Sequence, residues 1–393
     1  EIYSQIQNFM KLPQTIALTG LRRVGKTTLM FKIIEDNIKN GFNPRNIIYF
    51  SFDEFKEIEI RELLKEYEGL TEKNIRKEKF LLLLDEIQKL NNWEDQLKVV
   101  YDSFKGNIKI IISGSESLFI RKKSRETLAG RIFEFKIELL SFKEFLVFKG
   151  VSFKPIQLYE QELIKLFNEF ILTQGFPELV GIREKEVIRK YIKENIVEKI
   201  IYNDMLKLFK IKDVAIIESL LNIFMEDPGQ LIEISELAKE LKTSRQTISN
   251  YLIYLEESFL IRKLYNFSRN RRKIERKLKK YYPVIISTNL LFKDDDFSKS
   301  KVFEWLMVNQ LKGEFFYRDS YKNEVDIVMT DKNLLPIEIK YGKMDFKGLL
   351  VFMKKFKLNK GYIISLSTEE MQKIDGKVIY IIPAFKFLIK KNI

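Results

Sequence analysis

The feature that most constrains this chain is GLRRVGKTT at Gly20–Thr28, a G-x-x-x-x-G-K-[ST] loop set between a strand-like and a helix-like run. Thr15–Thr19 (TIALT) reads as a strand and Lys26–Lys39 as a helix. Glycines in such a loop let the backbone N–H groups wrap a phosphate, and the helix that follows adds the positive end of its dipole. The candidate nucleotide contacts are Gly20, Arg23, Val24, Gly25, Lys26, Thr27 and Thr28. Lys26 is placed to reach the β- and γ-phosphates of ATP, and Thr27 to hold Mg²⁺. Further strands are expected at Asn46–Phe52, Phe80–Leu84 and Lys109–Ser113. They are near-continuous apolar runs, as a parallel sheet covered on both faces requires, so the fold class is α/β.

A second signal agrees with the first. In LLLLDEIQ (Leu81–Gln88) four apolar residues end in adjacent carboxylates, as at the tip of a buried strand. Asp85 is the candidate Mg²⁺ partner, and Glu86 the candidate base that orients and deprotonates the attacking water. The plainer reading is two solvent-facing acids opening a helix. At the end of the next strand, Ser113 and Ser115 are candidates to sense the γ-phosphate, or simply to cap the helix that follows.

Composition narrows the chemistry. At 393 residues the chain exceeds one ordinary core, and roughly two to four domains are expected. It has no cysteine and no histidine, which excludes disulfides, thiolate zinc sites, cysteine nucleophiles and imidazole bases. Catalysis must rest on carboxylates, Lys, Arg, hydroxyls and a hard ion such as Mg²⁺. The net charge of +14 points to a polyanionic partner, nucleic acid before membrane, or to a Lys/Glu-rich thermophile composition. No apolar run is long enough to span a bilayer, and the start shows no signal-peptide pattern. The lack of cysteine and histidine, with abundant Lys, Ile and Phe, leads to the expectation of a cytoplasmic protein from a hot, AT-rich source. The chain opens on Glu1 rather than Met, and a truncated or processed form is expected.

GLRRVGKTT, LLLLDEIQ, IIISGSES, LAGRIFEF and TQGFPELV, in that order, resemble an archaeal and bacterial AAA-type ATPase family. The resemblance implies a P-loop ATPase core at 1–150, a helical lid at 151–212, a winged helix at 213–283 and a nuclease-like domain at 284–393. It makes Arg131 the best candidate for an arginine acting on nucleotide, with action across a subunit boundary as one option; Arg121 and Arg125 are alternatives. Each of the three is read equally well as part of a basic surface. Gly175–Pro177 is similar to the family's lid-region turn, or is only a tight connection. A ring-shaped homo-oligomer is also an implication of the resemblance.

The middle of the chain carries a helix-turn-helix pattern. Ile234–Leu241, opened by Ser235 as N-cap, is followed by a turn at Lys242–Ser244 and a second helix at Arg245–Glu256. Ile248, Leu252 and Leu255 are expected to face the core, and Arg245, Gln246, Ser249 and Asn250 to face outwards. Leu260–Phe267 reads as a wing strand, and Arg269–Lys280 (RNRRKIERKLKK) concentrates positive charge. Arg245, Gln246, Asn250, Arg269, Arg271, Arg272 and Lys273 are the candidate DNA contacts, mainly to phosphate. Winged helices also dock proteins, and a basic run can be a solvated face.

Beyond Pro283, a helix at Val302–Leu311 carries Glu304 and a strand begins at Glu314–Tyr317. A strand at Asn323–Met329 carries Asp326, a turn follows at Asp331–Asn333, and Pro336–Tyr341 (PIEIKY) forms a last strand. Glu338 and Lys340, two apart on a strand, share a face, and Asp326 on the neighbouring strand can converge with them. This arrangement resembles the restriction-endonuclease-like PD-(D/E)xK core, also found in archaeal Holliday-junction resolvases. The segment around Ser287–Asn289 departs from that pattern by lacking an acid near Thr288. The resemblance implies that Asp326 and Glu338 hold Mg²⁺ or Mn²⁺, with the Ile339 carbonyl as a further ligand. Glu304 would complete the acidic patch, and Lys340 would orient water or stabilise the scissile phosphate. Glu324 is a spare acid on the face of Asp326. The expected function is ATP hydrolysis coupled to processing of duplex or branched DNA; the alternative is an ATP-operated switch with a non-catalytic C-terminal scaffold.

Overall fold

The computed structural model describes residues 2–53, 58–114, 127–209, 211–330 and 333–390. The chain forms two compact units, Glu1–Leu139 with Glu257–Phe259, and Leu140–Glu256 with Leu260–Ile393.

The first unit is built on a parallel sheet of β1 (Thr15–Thr19), β2 (Ile47–Ser51), β3 (Phe80–Asp85), β4 (Ile108–Gly114) and β5 (Ile132–Lys136), in the order β2-β3-β4-β1-β5. The inner strands are the unbroken apolar runs: every residue of β1 and β3 is buried, whereas the edge strands β2 and β5 are mostly half-buried. Inner strands lose solvent on both faces, so no position can remain polar except at the tips. Among the described residues the helices α1 (Ile2–Phe9), α2 (Lys26–Lys39), α3 (Ile60–Thr71) and α4 (Trp93–Ser103) accompany the sheet. Leu64, Trp93, Leu97 and Val100 of the last two join Leu82, Leu84, Ile110 and Ile112 in one core. Because β4 lies between β3 and β1, the ends of all three strands open on one edge, where the Gly20–Thr28 loop begins.

The second unit has a single main core. It joins Phe142, Phe145 and Phe170 to Leu264, Tyr282, Trp305, Ile339, Ile364 and Phe385. The segments expected as lid, winged helix and nuclease-like domain thus share one apolar interior. Two helices come first, α5 (Phe142–Phe148) and α6 (Glu160–Thr173), then a helical run from 185 to 208 whose middle is wound in wide π-turns. Between them lies the GFP turn: Gln174 exchanges two hydrogen bonds with the backbone of Ile286, at 2.8 and 3.2 Å, and Phe176 is buried.

Next come α7 (Val214–Glu226), β6 (Gln230–Ile232), α8 (Ile234–Glu240) and α9 (Arg245–Glu257). Ser235 does not cap α8. The helix starts directly off β6, Glu233 holds the cap position, and its side chain makes no capping bond. Ser244 receives the Thr247 N–H at 3.0 Å in the turn before α9, and Ile248, Leu252 and Leu255 are buried. β7 (Ile261–Asn266) and β8 (Lys279–Pro283) form a hairpin that spans the basic run, whose middle is a short helix, α10 (Arg271–Arg276). With β9 (Phe315–Arg318) and β10 (Glu324–Val325) these strands make a sheet ordered β10-β9-β7-β8-β6.

A second sheet holds β11 (Ile327–Met329), β12 (Leu335–Lys340), β13 (Lys360–Ser365), β14 (Glu370–Ile374) and β15 (Lys377–Pro383), ordered β11-β12-β13-β15-β14. Its middle three strands are parallel and its edges antiparallel. The strand expected at Asn323–Met329 is therefore two strands in two sheets, and Asp326 stands at the crossing between them. Helices α11 (Asp296–Leu311), α12 (Lys347–Phe356) and α13 (Ala384–Lys390) complete the unit. No described helix is long and apolar enough to cross a membrane.

Candidate functional site

Two clusters concentrate chemistry, one in each unit. In the first, Gly20 has φ +142°, and a Cβ there would lie 2.2 Å from the Ile137 carbonyl oxygen, so only glycine fits. Arg23 (φ 61°) and Gly25 (φ 96°) turn the loop back onto the N-terminus of α2. Lys26 is buried and donates to the loop's own carbonyls, Gly20 at 3.1 Å and Leu21 at 2.9 Å. Val24 is buried in the interior and offers only backbone, while Arg23 and Thr28 are exposed.

Asp85, at the tip of β3, gathers the rest of the cluster. Its Oδ2 accepts from Thr27 Oγ1 at 2.7 Å and from the Tyr49 hydroxyl at 2.9 Å. Its Oδ1 accepts from Ser113 Oγ, a fully buried side chain on β4. The Glu86 N–H donates to both Asp85 Oδ1 and Ser113 Oγ at 3.1 Å, and Glu86 adopts φ 52°. That left-handed turn releases the Glu86 carboxylate from the strand, where Gln88 Nε2 donates to it at 2.7 Å. Glycine loop, threonine, aspartate and serine thus converge where β1, β3 and β4 end. Tyr49 is an addition that sequence reasoning missed: nothing in NIIYFSF says that β2 lies beside β3.

Arg131 does not join this cluster. It precedes β5, its carbonyl accepts the Thr15 N–H at 2.8 Å, and the strands pair Thr15 with Ile132 and Thr19 with Lys136. It therefore sits at the opposite end of the sheet, about five residues or ~16 Å from the loop at ~3.3 Å per residue. There its guanidinium pairs with Asp102 of α4, Nε to Oδ1 at 3.0 Å and Nη2 to Oδ2 at 3.4 Å. Within its own chain Arg131 cannot touch a nucleotide held by Lys26. Ser115, Arg121 and Arg125 lie outside the described residues.

The second cluster is acidic. Ile327 pairs with Ile337, so the next residues outward on the two strands, Asp326 and Glu338, face each other. Asp326 Oδ2 accepts the Ile339 N–H at 2.7 Å, and Lys340 Nζ donates to Glu338 Oε1 at 2.8 Å. Glu338 Oε2 is buried and has no hydrogen-bond partner. Burial and the facing Glu338, then Glu304, push the Asp326 carboxyl well above its ordinary range. Burial likewise raises Glu338 to about 7, despite the opposing pull of Lys340. Burial disfavours the Lys340 ammonium, but Glu338 and Asp326 outweigh it and its pKa rises.

Glu304 lies on α11, which is tied to the end of β8 where Trp305 Nε1 donates to the Pro283 carbonyl at 2.8 Å. Its Oε1 accepts from the Tyr282 hydroxyl at 2.6 Å and lies 3.7 Å from Lys280 Nζ. Glu324 pairs with Arg318 Nη1 at 2.5 Å and with Lys280. The three-carboxylate patch expected of Glu304, Asp326 and Glu338 is not present. Among the described residues no three acidic side chains converge to hold a metal ion, and Glu304 turns its Oε1 to the Tyr282 hydroxyl and towards Lys280. Two carboxylates with one free buried oxygen remain, and those fit a divalent cation. The structure also splits the run in which positive charge is concentrated. Arg269, Arg271, Arg272 and Lys273 are exposed, whereas Lys280, in β8, is only 5% exposed. Arg245 and Gln246 are exposed at the start of α9, and Gln246 donates to Asn250 at 2.9 Å.

Residues 13–146 match a family described as an AAA domain; residues 164–284 and 301–387 match two domains of unknown function. The chain is 31% identical to the uncharacterized protein MJ1544 of Methanocaldococcus jannaschii, over 94% of this chain and 86% of that one. It is 29% identical to MJ1637 of the same organism, over 94% and 83%. An uncharacterized protein of Haemophilus influenzae shows 31% identity over 63% of this chain and 61% of its own. Among solved structures, RuvB of Thermotoga maritima aligns with TM-score 0.32 and 18% identity, over 69% of this chain and 88% of that one. Cdc6p of Pyrobaculum aerophilum aligns with TM-score 0.33 and 13% identity, over 77% and 93%.

Proposed function

The chain belongs to one family with MJ1544 of M. jannaschii and carries an AAA-type ATPase domain, and on that premise we propose that it couples ATP hydrolysis to DNA processing. In this reading Lys26 leaves the loop carbonyls for the β- and γ-phosphates, and backbone N–H groups of Gly20–Thr28 hold the phosphate oxygens. Thr27 and Asp85, already joined by a hydrogen bond, would hold Mg²⁺, which screens the phosphate charge. Glu86 accepts the proton of the attacking water, and Ser113 links Asp85 to the backbone of Glu86, so ion and base are set by one bonded group.

One observation carries the DNA half of the proposal. Asp326 and Glu338 face each other beside Lys340, and Glu338 keeps a buried, unpartnered oxygen that suits a hard cation. Support comes also from the local arrangement: helix α11 with Glu304 precedes the β11–β12 hairpin beside which Asp326 and Glu338 meet, as the resemblance implies. When bound, Mg²⁺ or Mn²⁺ would act as Lewis acid on the scissile phosphate. Lys340 would orient water there, and exposed Arg269, Arg271, Arg272 and Lys273, with Arg245, Gln246 and Asn250 of the winged-helix-like segment, would hold the phosphate backbone.

The test is cleavage of labelled duplex, forked and four-way DNA with Mg²⁺ or Mn²⁺, with and without ATP, alongside ATP turnover on the same DNAs. Cleavage lost in Lys340→Ala, and turnover that DNA stimulates, is the expected result. If DNA binds but neither cleavage nor stimulation appears, the second reading stands: an ATP-operated switch with a scaffold at its C-terminus. The absence of a three-acid cluster among the described residues is what favours that reading.

A further inference from the structure

We propose that Lys280 is a built-in cation of the acidic site, and that it limits the site to one divalent ion. The inference rests on the reading above, in which Asp326 and Glu338 receive such an ion. Lys280 comes from the most basic stretch of the chain, yet its ammonium is turned inward on β8, above the Phe316 ring at 5.5 Å. An ammonium removed from water persists only where carboxylates replace its hydration. Here Glu324 pairs with it directly and Glu304 lies 3.7 Å away. Two residues on, and so on the same face of β8, Tyr282 is fully buried and gives its hydroxyl to Glu304. One strand thus supplies two side chains that consume Glu304 and Glu324.

The consequence is a division of four carboxylates into two pairs. Glu304 and Glu324 serve Lys280, with Arg318 also on Glu324. Asp326 and Glu338 are left, and of these four carboxylates Glu338 has the buried oxygen that lacks a partner. A second divalent ion about 4 Å from the first, as two-metal sites require, would need Glu304 or Glu324 as a ligand. It would then stand against the Lys280 charge. The ammonium fills that ground with a single positive charge that cannot be exchanged or chelated away.

The experiment counts Mn²⁺ by electron paramagnetic resonance on the full, nucleotide-free chain in an Asp85→Asn background, which removes the ion partner of the P-loop. One ion per chain is expected, falling to none with Asp326→Asn. Glu304→Gln should leave the count at one, since that carboxylate is no ligand. Lys280→Met should raise it to two, while Lys280→Arg keeps it at one. Two ions with Lys280 in place would overturn the inference but not the metal site. So would loss of the ion in Glu304→Gln, or a folded Lys280→Met chain, checked by circular dichroism, that still holds one. No ion in the Asp85→Asn parent would overturn the metal reading and this inference together. Should Lys280→Met not fold, Lys280→Gln is counted in its place, two ions sustaining the inference and one overturning it.

Discussion

Burial of its carboxylate raises the Glu338 pKa to about 7. In the ion-free protein this raised pKa means that the folded chain keeps a proton which the unfolded chain, near its ordinary value of 4.5, has released. The contribution of Glu338 to stability therefore declines as pH rises from about 4.5 to about 7, and Glu338→Gln should flatten the melting temperature across that window. A divalent ion competes with the same proton. Mn²⁺ affinity should rise with pH through this window as the protons of Glu338 and Asp326 are displaced, which a calorimetric titration series will show. In the nucleotide cluster the expectations are kinetic. Lys26→Ala should remove ATP turnover, and Glu86→Gln should slow it by about 10²–10⁴-fold while leaving nucleotide bound. Phosphate release measured beside fluorescent-nucleotide binding separates the two effects.

Among the elements, β8 and α12 decide most about the acidic site. Gly348, in the first turn of α12, lies so close to β10 that a Cβ would stand 2.0 Å from the Glu324 carbonyl oxygen. Gly348→Ala must push helix and strand apart, at a cost of about 1–3 kcal/mol. Because Glu324 pairs with Lys280 and leads into Asp326, the displacement should weaken Mn²⁺ binding as well as lower the melting temperature. A thermal shift with undiminished Mn²⁺ affinity would show that the helix supports the sheet but not the site. The basic helix α10 makes a different prediction. Its Arg271, Arg272 and Lys273 are exposed, so neutralising them should weaken DNA binding uniformly over sequences. The slope of log affinity against log salt should drop by about 0.9 for each phosphate that is no longer neutralised.

For the whole molecule, the position of Arg131 has the largest consequence. It is bonded to Asp102 at the end of the sheet away from Lys26, so any action on nucleotide must be on another chain's. Arg131→Ala and Lys26→Ala proteins, each inactive alone, should then regain ATP turnover when mixed, and turnover should depend on protein concentration. If the mixture stays inactive although the two proteins co-assemble by light scattering, Arg131 is a structural partner of Asp102.

Local patterns were legible without coordinates because they depend on neighbours in sequence. β1 and α2 form at Thr15–Thr19 and Lys26–Lys39, as apolar periodicity and the glycine loop require. The alternation in PIEIK likewise puts Glu338 and Lys340 on one face. What only the tertiary structure decided are the features that depend on which strand lies beside which. The Tyr49 bond to Asp85 needs β2 next to β3, and the split at Asp326 needs two sheets that share one crossing. Lys280 is the clearest case. By composition it belongs with the exposed Arg269–Lys273, and one strand pairing carries it inside among Glu304, Glu324 and Asp326. A single chain states the charge of each residue, but burial and partners arise only when distant segments close around it.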